Sequence, residues 1–136
     1  FGAHPDAVSR TVTIAARCRF SLAELTYEYP DEVAIDPDTG QRMAPQQRLE
    51  RLVREGLSER YPEGPPERAR TQAEHELALI GRLDFARYFL TVRDVVAFAR
   101  SRGILAQGRG SAANSIVCYA LGVTAIGPEI ASMVFE

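Results

Sequence analysis

The chain has 136 residues, of which 46% are apolar and 25% charged, and its net charge is −2. This balance predicts a globular protein with a sizeable core and excludes a disordered chain. The apolar runs are only a few residues long, so we predict no membrane-spanning segment and no membrane contact. The mild acidity argues against binding nucleic acid over the whole surface, although a local basic pocket stays open.

The cysteines and histidines suggest no metal site or disulfide. Cys18 and Cys118 lie far apart in apolar surroundings, which predicts small buried residues in a reducing cytoplasm. His4 and His75 are isolated from one another, and we expect each to be a surface or helix-cap residue. Because the chain begins without Met or a signal peptide and ends on an apolar helical pattern, we expect both ends to be cuts through a longer polypeptide.

The first helix is predicted over Pro5 to Cys18, where apolar residues follow helical spacing and a proline occupies the first turn. Residues 30–45 are rich in proline and acidic residues, and we expect a loop between two packing units. Within it, Asp36-Pro37-Asp38 has the composition of a paired-carboxylate metal site. Its proline and the nearby Gly40 indicate a turn instead, in which aspartate is favoured by its own hydrogen bonds to the backbone.

Three further helices follow this loop, each with apolar residues at helical spacing, and the first has Arg and Glu on its opposite face. They are predicted over Pro45 to Arg60, from Pro66 or Glu67 to about Leu83, and from about Ala86 to Ser101. Gly103 is placed to end the last of them as a C-terminal cap.

The C-terminal third is predicted to contain a strand and two helices. The short apolar run Ile104-Leu105-Ala106 indicates a buried strand. Ser111 is placed to cap a deeply buried helix that Gly122 ends, and Pro128 to Phe135 begins another helix. The fold class is therefore α+β and predominantly helical, with one short strand before a glycine-rich loop.

That loop, Gly108-Arg109-Gly110-Ser111, joins the predicted strand to the predicted helix. Glycines let a backbone approach an anion, and an arginine offers a planar fork that matches phosphate oxygens. Ser111 adds a hydroxyl donor, and Asn114 follows one turn later. The run matches neither the P-loop consensus nor a dinucleotide-binding fingerprint. From these residues alone, a phosphate site and a structural tight turn both stay open.

Several motifs together resemble the C-family bacterial DNA polymerases, the family of the DNA polymerase III alpha subunit. Gln107 before the loop and Asn114 after it are similar to the error-prone, DnaE-like branch in particular. The resemblance covers essentially the whole chain and is strongest over residues 85–124. The residues that carry it are 4–8, 15–18, 27–32, 88–92, 103–105, 107–115 and 118–124.

The resemblance implies a layout. Residues 1–25 would be the C-terminal end of a PHP domain and its exit, 26–45 a linker, and 46–136 the N-terminal part of a palm with the polymerase-beta-like nucleotidyltransferase fold. The chain would supply no catalytic residue and no metal ligand, since the family's paired aspartates follow the segment that matches its last residues. We therefore expect the isolated chain to be inactive.

The resemblance also implies a function. The loop residues Gly108, Arg109, Gly110 and Ser111 would bind the triphosphate of an incoming dNTP, supported by Gln107 and Asn114. The parent polymerase would be of the repair or translesion type and would use Mg²⁺, a DNA primer-template and other mutagenesis or replication proteins. The cut chain could also self-associate through exposed apolar edges. The alternative is a helical structural or interaction module with a structural glycine turn.

Overall fold

A computed structural model of the chain describes residues 2–25, 29, 34–35 and 40–128. Helices dominate these residues, and none of them is long and apolar enough to cross a membrane. Two 3₁₀ helices, Leu22–Glu24 and Gly110–Asn114, accompany the α-helices. The α-helices are α1 (Pro5–Arg17), α2 (Pro45–Arg60), α3 (Glu67–Arg82), α4 (Ala86–Ser101) and α5 (Ile116–Ala120).

Helix α1 ends one residue before the predicted boundary and follows His4, its exposed N-cap. Its first helical residue is the predicted proline, and no residue of the helix is buried. The prediction that Cys18 is buried is wrong, because this residue caps the exposed helix from outside the core. Cys118 is buried as predicted.

The predicted loop before α2 contains a pair of short strands, β1 (Ala34–Ile35) and β2 (Arg42–Met43). They pair antiparallel, with Ala34 opposite Met43 and Ile35 opposite Arg42. Strands of two residues are too short to leave a periodic pattern, which is why the sequence did not indicate them. The Asp36-Pro37-Asp38 turn lies outside the described residues.

The core lies where α2 packs against α4 and α5, and where α3 packs against α5. All three long helices after residue 45 have the bounds that their apolar stripes predict, to within about one residue. Leu49, Ile116 and Val117 are fully buried at the centre of this core. Its other members are Val53, Leu57, Ala69, Ala73, Ile80, Ala86, Leu90 and Ala120.

Helices α2 and α5 cross so closely that one position requires glycine. A Cβ atom on Gly56 would lie 2.0 Å from the carbonyl oxygen of Ala120. Helix α5 is only five residues long, and at this contact its backbone packs directly against α2. The orientation of the segments on either side of α5 therefore depends on α2.

Helices α3, α4 and α5 each end in the same hydrogen-bonded motif around a residue with positive φ: Asp84, Gly103 and Gly122. After α4, the Ile104 amide donates to the Ala99 carbonyl, five residues earlier, over 2.9 Å. This is the hydrogen bond that spans the Schellman motif. The predicted helix ends at Gly103 and Gly122 are confirmed.

The predicted strand over residues 104–106 is wrong. These residues form no strand in the described structure, and Leu105 is 100% exposed. The Ile104 amide is already used in ending α4, and the described residues hold no neighbouring strand with which the segment pairs. The predominantly helical character is confirmed, and the strand pair found in the described residues precedes α2 instead of the glycine loop. Of the predicted helix at 128–135, only its first residue is described.

Candidate functional site

The first half of the glycine loop is fastened to the turn that follows α5. The Gly108 amide donates to the Val123 carbonyl over 2.8 Å. A Cβ atom on Gly108 would lie 2.9 Å from the Thr124 methyl carbon Cγ2, and Thr124 is fully buried. Only glycine fits here without displacing the buried threonine.

Gln107 adds a second attachment. Its side-chain oxygen Oε1 accepts a hydrogen bond from the Ala125 amide over 3.2 Å. Together with the Gly108 bond, this contact holds the start of the loop against residues 123–125. Gln107 thus holds the start of the loop in place, and its expected support of a phosphate site stays a prediction.

The second half of the loop is open. Arg109, Gly110 and Ser111 are exposed, and Gly110 has the positive φ, 63°, expected of a glycine in such a turn. Among the described residues, no acceptor bonds to the amides of Gly110 or Ser111, and no carboxylate pairs with Arg109. One guanidinium, two amides and the Ser111 hydroxyl therefore lie together at the surface with their hydrogen-bonding capacity unused.

The prediction that Ser111 caps a long helix is wrong. Gly110–Asn114 forms a 3₁₀ helix, and α5 begins only at Ile116 with Ser115 as its N-cap. The Ser115 hydroxyl accepts a hydrogen bond from the Cys118 amide over 3.0 Å. The predicted deep burial of the helix is confirmed for α5. An anion at this loop would rely on the arginine and the amides, because a five-residue 3₁₀ helix has little dipole of its own.

The start of α5 is held by a carboxylate that sequence reasoning missed. Glu76, on α3, accepts hydrogen bonds from the Ile116 and Val117 amides, each over 3.1 Å. The Ser115 hydroxyl donates to the same carboxylate over 2.6 Å. A carboxylate at these amides is favoured by both hydrogen bonding and the helix dipole. No local pattern signals this contact, since the partners lie about 40 positions apart.

Asn114 lies between the loop and this capped helix. Its backbone carbonyl accepts a hydrogen bond from the Gln72 side-chain amide over 3.0 Å, and Gln72 also donates to Glu76 over 2.9 Å. The Asn114 side chain is on the exposed side. The Gly110–Asn114 helix is thus held at both ends. Just before it, Gln107 and Gly108 bind the turn after α5, and at its end Asn114 binds α3.

The described part of the chain holds no group of three or more His, Cys, Asp or Glu side chains arranged for a metal ion. The Glu76 carboxylate, which binds the start of α5, has its oxygens engaged by amides and a hydroxyl. The donors of Arg109, Gly110 and Ser111 suit an anion. They do not fit Mg²⁺, because this ion prefers carboxylate oxygens and water as ligands.

Residues 47–136 match the family described as the bacterial DNA polymerase III alpha NTPase domain, and the chain belongs to this family. Relatives at 50–57% identity are named for one branch of that family, as the sequence predicted. An error-prone DNA polymerase of Ruegeria pomeroyi is 57% identical over 136 residues, covering 100% of this chain and 12% of that protein.

Two other relatives carry the same designation. The error-prone DNA polymerase 2 of Rhizobium meliloti is 52% identical over 136 residues, 100% of this chain and 12% of that protein. The error-prone DNA polymerase of Methylococcus capsulatus is 54% identical over 129 residues, 95% of this chain and 12% of that protein. The chain therefore spans about an eighth of the length of these relatives.

Proposed function

We propose that this chain is the part of an error-prone DNA polymerase that binds the triphosphate of the incoming nucleotide, through the glycine loop. The parent enzyme would transfer a nucleotidyl group from a dNTP to the 3′ hydroxyl of a DNA primer. The layout implied by the resemblance belongs to this proposal: residues 1–25 as the exit of a PHP domain, 26–45 as a linker and 46–136 as palm.

The observation that carries the proposal is the division of the loop into an attached half and an open half. Gln107 and Gly108 are bound to the turn after α5. Arg109, Gly110 and Ser111 are exposed, and within the described residues their donors have no acceptor. A rigidly mounted cluster of donors that lacks an internal acceptor suits an external anion.

Each open group has a distinct role. Arg109 neutralises charge and binds two phosphate oxygens with its planar fork. The Gly110 and Ser111 amides and the Ser111 hydroxyl fix the orientation of the phosphates, which places the α-phosphate for attack by the primer. Magnesium in the parent enzyme would activate the primer hydroxyl and stabilise the pyrophosphate that leaves. No proton transfer falls to this loop.

Gly108 has a structural contribution that its sequence context left open. Its amide is bonded to Val123, and the space beside it is filled by Thr124. In this conformation, Gly108 shapes the loop, and the phosphate contacts come from residues 109–111. The structural glycine turn and the anion site are therefore two halves of one loop.

The partners follow from the proposed reaction. They are a dNTP, a DNA primer-template and other mutagenesis or replication proteins, and the setting is the cytoplasm. Exposed apolar side chains such as Phe98 and Leu105 also leave self-association of the isolated chain as part of the proposal.

The test is steady-state kinetics of the full-length polymerase with Arg109→Gln or Ser111→Ala. Loss of a charge-assisted hydrogen bond costs about 1.5–3 kcal/mol, so kcat/KM for the dNTP should fall about ten- to a hundredfold in Arg109→Gln. Arg82→Gln, at an exposed arginine at the end of α3, is the matched control. Unchanged kcat/KM in both loop variants would end the proposal.

A further inference from the structure

A second basic feature lies outside the loop, in a cleft between α2, α4 and the turn after α5. The cleft has a volume of about 340 Å³. Three arginines line it: Arg60 from the end of α2, and Arg93 and Arg100 two turns apart on α4. Glu55 and Glu59 are its acidic residues. None of these five residues belongs to the glycine loop.

Two of the guanidinium groups converge on one glycine. Nη1 of Arg100 lies 2.8 Å, and Nη2 of Arg60 3.9 Å, from the position that a Cβ atom of Gly122 would occupy. The absence of a side chain at Gly122 makes room for both positive groups. Two positive groups close to the same point repel each other, and an anion bound between them would offset that repulsion.

No anion of the described residues fills that role. Arg60 is held by a hydrogen bond of 3.4 Å to the Thr124 carbonyl and lies 4.5 Å from the ring centre of Tyr119. Neither contact supplies a negative charge. Within the described ranges, no carboxylate forms an ion pair with Arg60 or Arg100.

Of the two acidic residues of the cleft, one is paired and the other is exposed. Glu55 pairs with Arg51 over 2.9 Å, and Arg93 donates to Asp94 over 2.7 Å. Glu59 is exposed at the edge. Arg60 and Arg100 therefore leave a local excess of positive charge, on a chain whose net charge is negative.

We propose that this cleft binds a backbone phosphate of the DNA primer-template. This inference rests on the proposed function, which supplies DNA as a partner and assigns the nucleotide phosphates to the glycine loop. The guanidinium pair matches a phosphate in charge and geometry. Arg60 covers one face of the Tyr119 ring, so that face is closed to a base. A contact to phosphate alone does not read the DNA sequence.

The experiment measures the affinity of the full-length polymerase for a primer-template at several salt concentrations. Replacing one phosphate contact reduces the slope of log affinity against log salt by about one. We expect this reduction in Arg100→Gln and not in Arg68→Gln, an equal charge change at an exposed position on α3. Arg100 is itself exposed, so its replacement leaves the core intact.

For Glu59→Gln, we expect the affinity for DNA to change in the opposite direction. Removing this carboxylate takes a negative charge from the edge of the cleft, so DNA affinity should rise, whereas a purely structural cleft predicts no gain. The KM for the dNTP should stay unchanged in Arg100→Gln, while Arg109→Gln changes it if the proposed function holds. The two proposals can therefore fail separately.

Three outcomes overturn the inference. One is an Arg100→Gln slope equal to that of the unsubstituted enzyme. Another is a loss confined to the KM for the dNTP, which would assign the cleft to the nucleotide. The third is an Arg68→Gln slope reduced as much as that of Arg100→Gln, which would show a general charge effect and no defined site.

Discussion

The Ser115 hydroxyl donates a hydrogen bond to Oε2 of Glu76 over 2.6 Å and accepts one from the Cys118 amide over 3.0 Å. The serine therefore joins a carboxylate on α3 to the first turn of α5. The same carboxylate accepts from the amides of Ile116 and Val117. A five-residue helix is too short to be stable alone, so this network and the core packing hold it in place.

The first prediction concerns this network. Glu76→Ala leaves the Ile116 and Val117 amides without their acceptor, and we expect a loss of about 1–3 kcal/mol in the free energy of unfolding. Denaturant unfolding of the chain measures this loss. Glu74→Ala removes an exposed glutamate from the same helix and should change stability by less than about 0.5 kcal/mol. Equal effects of the two substitutions would contradict the assigned role.

The second prediction concerns the crossing of α2 and α5. In Gly56→Ala, the new methyl group would lie 2.0 Å from the Ala120 carbonyl oxygen, so the helices must move apart. We expect a loss of about 1–3 kcal/mol, the usual cost of overpacking a core. Ser58→Ala lies at an exposed position of the same helix and serves as the control in the same denaturation experiment. A Gly56→Ala chain as stable as the control would show that the helices are not in contact.

The third prediction concerns Cys118 and alkaline pH. Burial raises the pKa of its thiol above the ordinary value of 9.0; the Ser115 hydrogen bond lowers it, and the Glu76 charge raises it further. A raised thiol pKa in the folded state contributes stability that is complete below the unfolded pKa and is lost as pH rises through the folded value. The free energy of unfolding should therefore decline above about pH 9 in part because of this residue.

Cys118→Ala isolates that contribution. The difference in unfolding free energy between the unsubstituted chain and the variant should be constant near neutral pH and should shrink as pH rises above about 9. Thiol labelling gives a second readout, because exposed Cys18 should react readily and Cys118 only after unfolding. A difference that stays flat across the alkaline range would contradict the prediction.

The fourth prediction concerns the isolated chain. The described residues hold no carboxylate cluster that fits the metal ions of nucleotidyl transfer, so we expect no primer extension by the 136-residue chain. A gel assay with labelled primer, dNTPs and Mg²⁺ tests this, with the full-length polymerase as the positive control. Extension by the chain, retained after removal of contaminating polymerases, would refute the prediction.

The sequence predicted the long helices well because their signals are local. Apolar residues at helical spacing marked α2, α3 and α4, and glycine marked the ends of α4 and α5. The prediction of a strand at residues 104–106 was wrong because a three-residue apolar run does not show whether its amides are free to pair with another strand. One of them, in Ile104, is used in the end of α4.

The loop was found from its composition, but its division into two halves was not. That division depends on Gly108 meeting Val123 and on Gln107 meeting Ala125, and these contacts form only when α5 is in place. The Glu76 contact is likewise set by the packing of α3 against α5. A single sequence shows which side chains are capable of such bonds, and the packing decides which bonds form.

The hydrogen bond between Gly108 and Val123 would affect how tightly the loop binds an anion. The bond is made within the chain, so the loop is held in shape before any anion arrives. Binding then requires little further loss of backbone entropy, a loss that otherwise amounts to about 1–2 kcal/mol for each residue ordered. Under the proposed function, the loop would therefore hold a triphosphate with few contacts and would still release the pyrophosphate, because it would not have to refold between nucleotides.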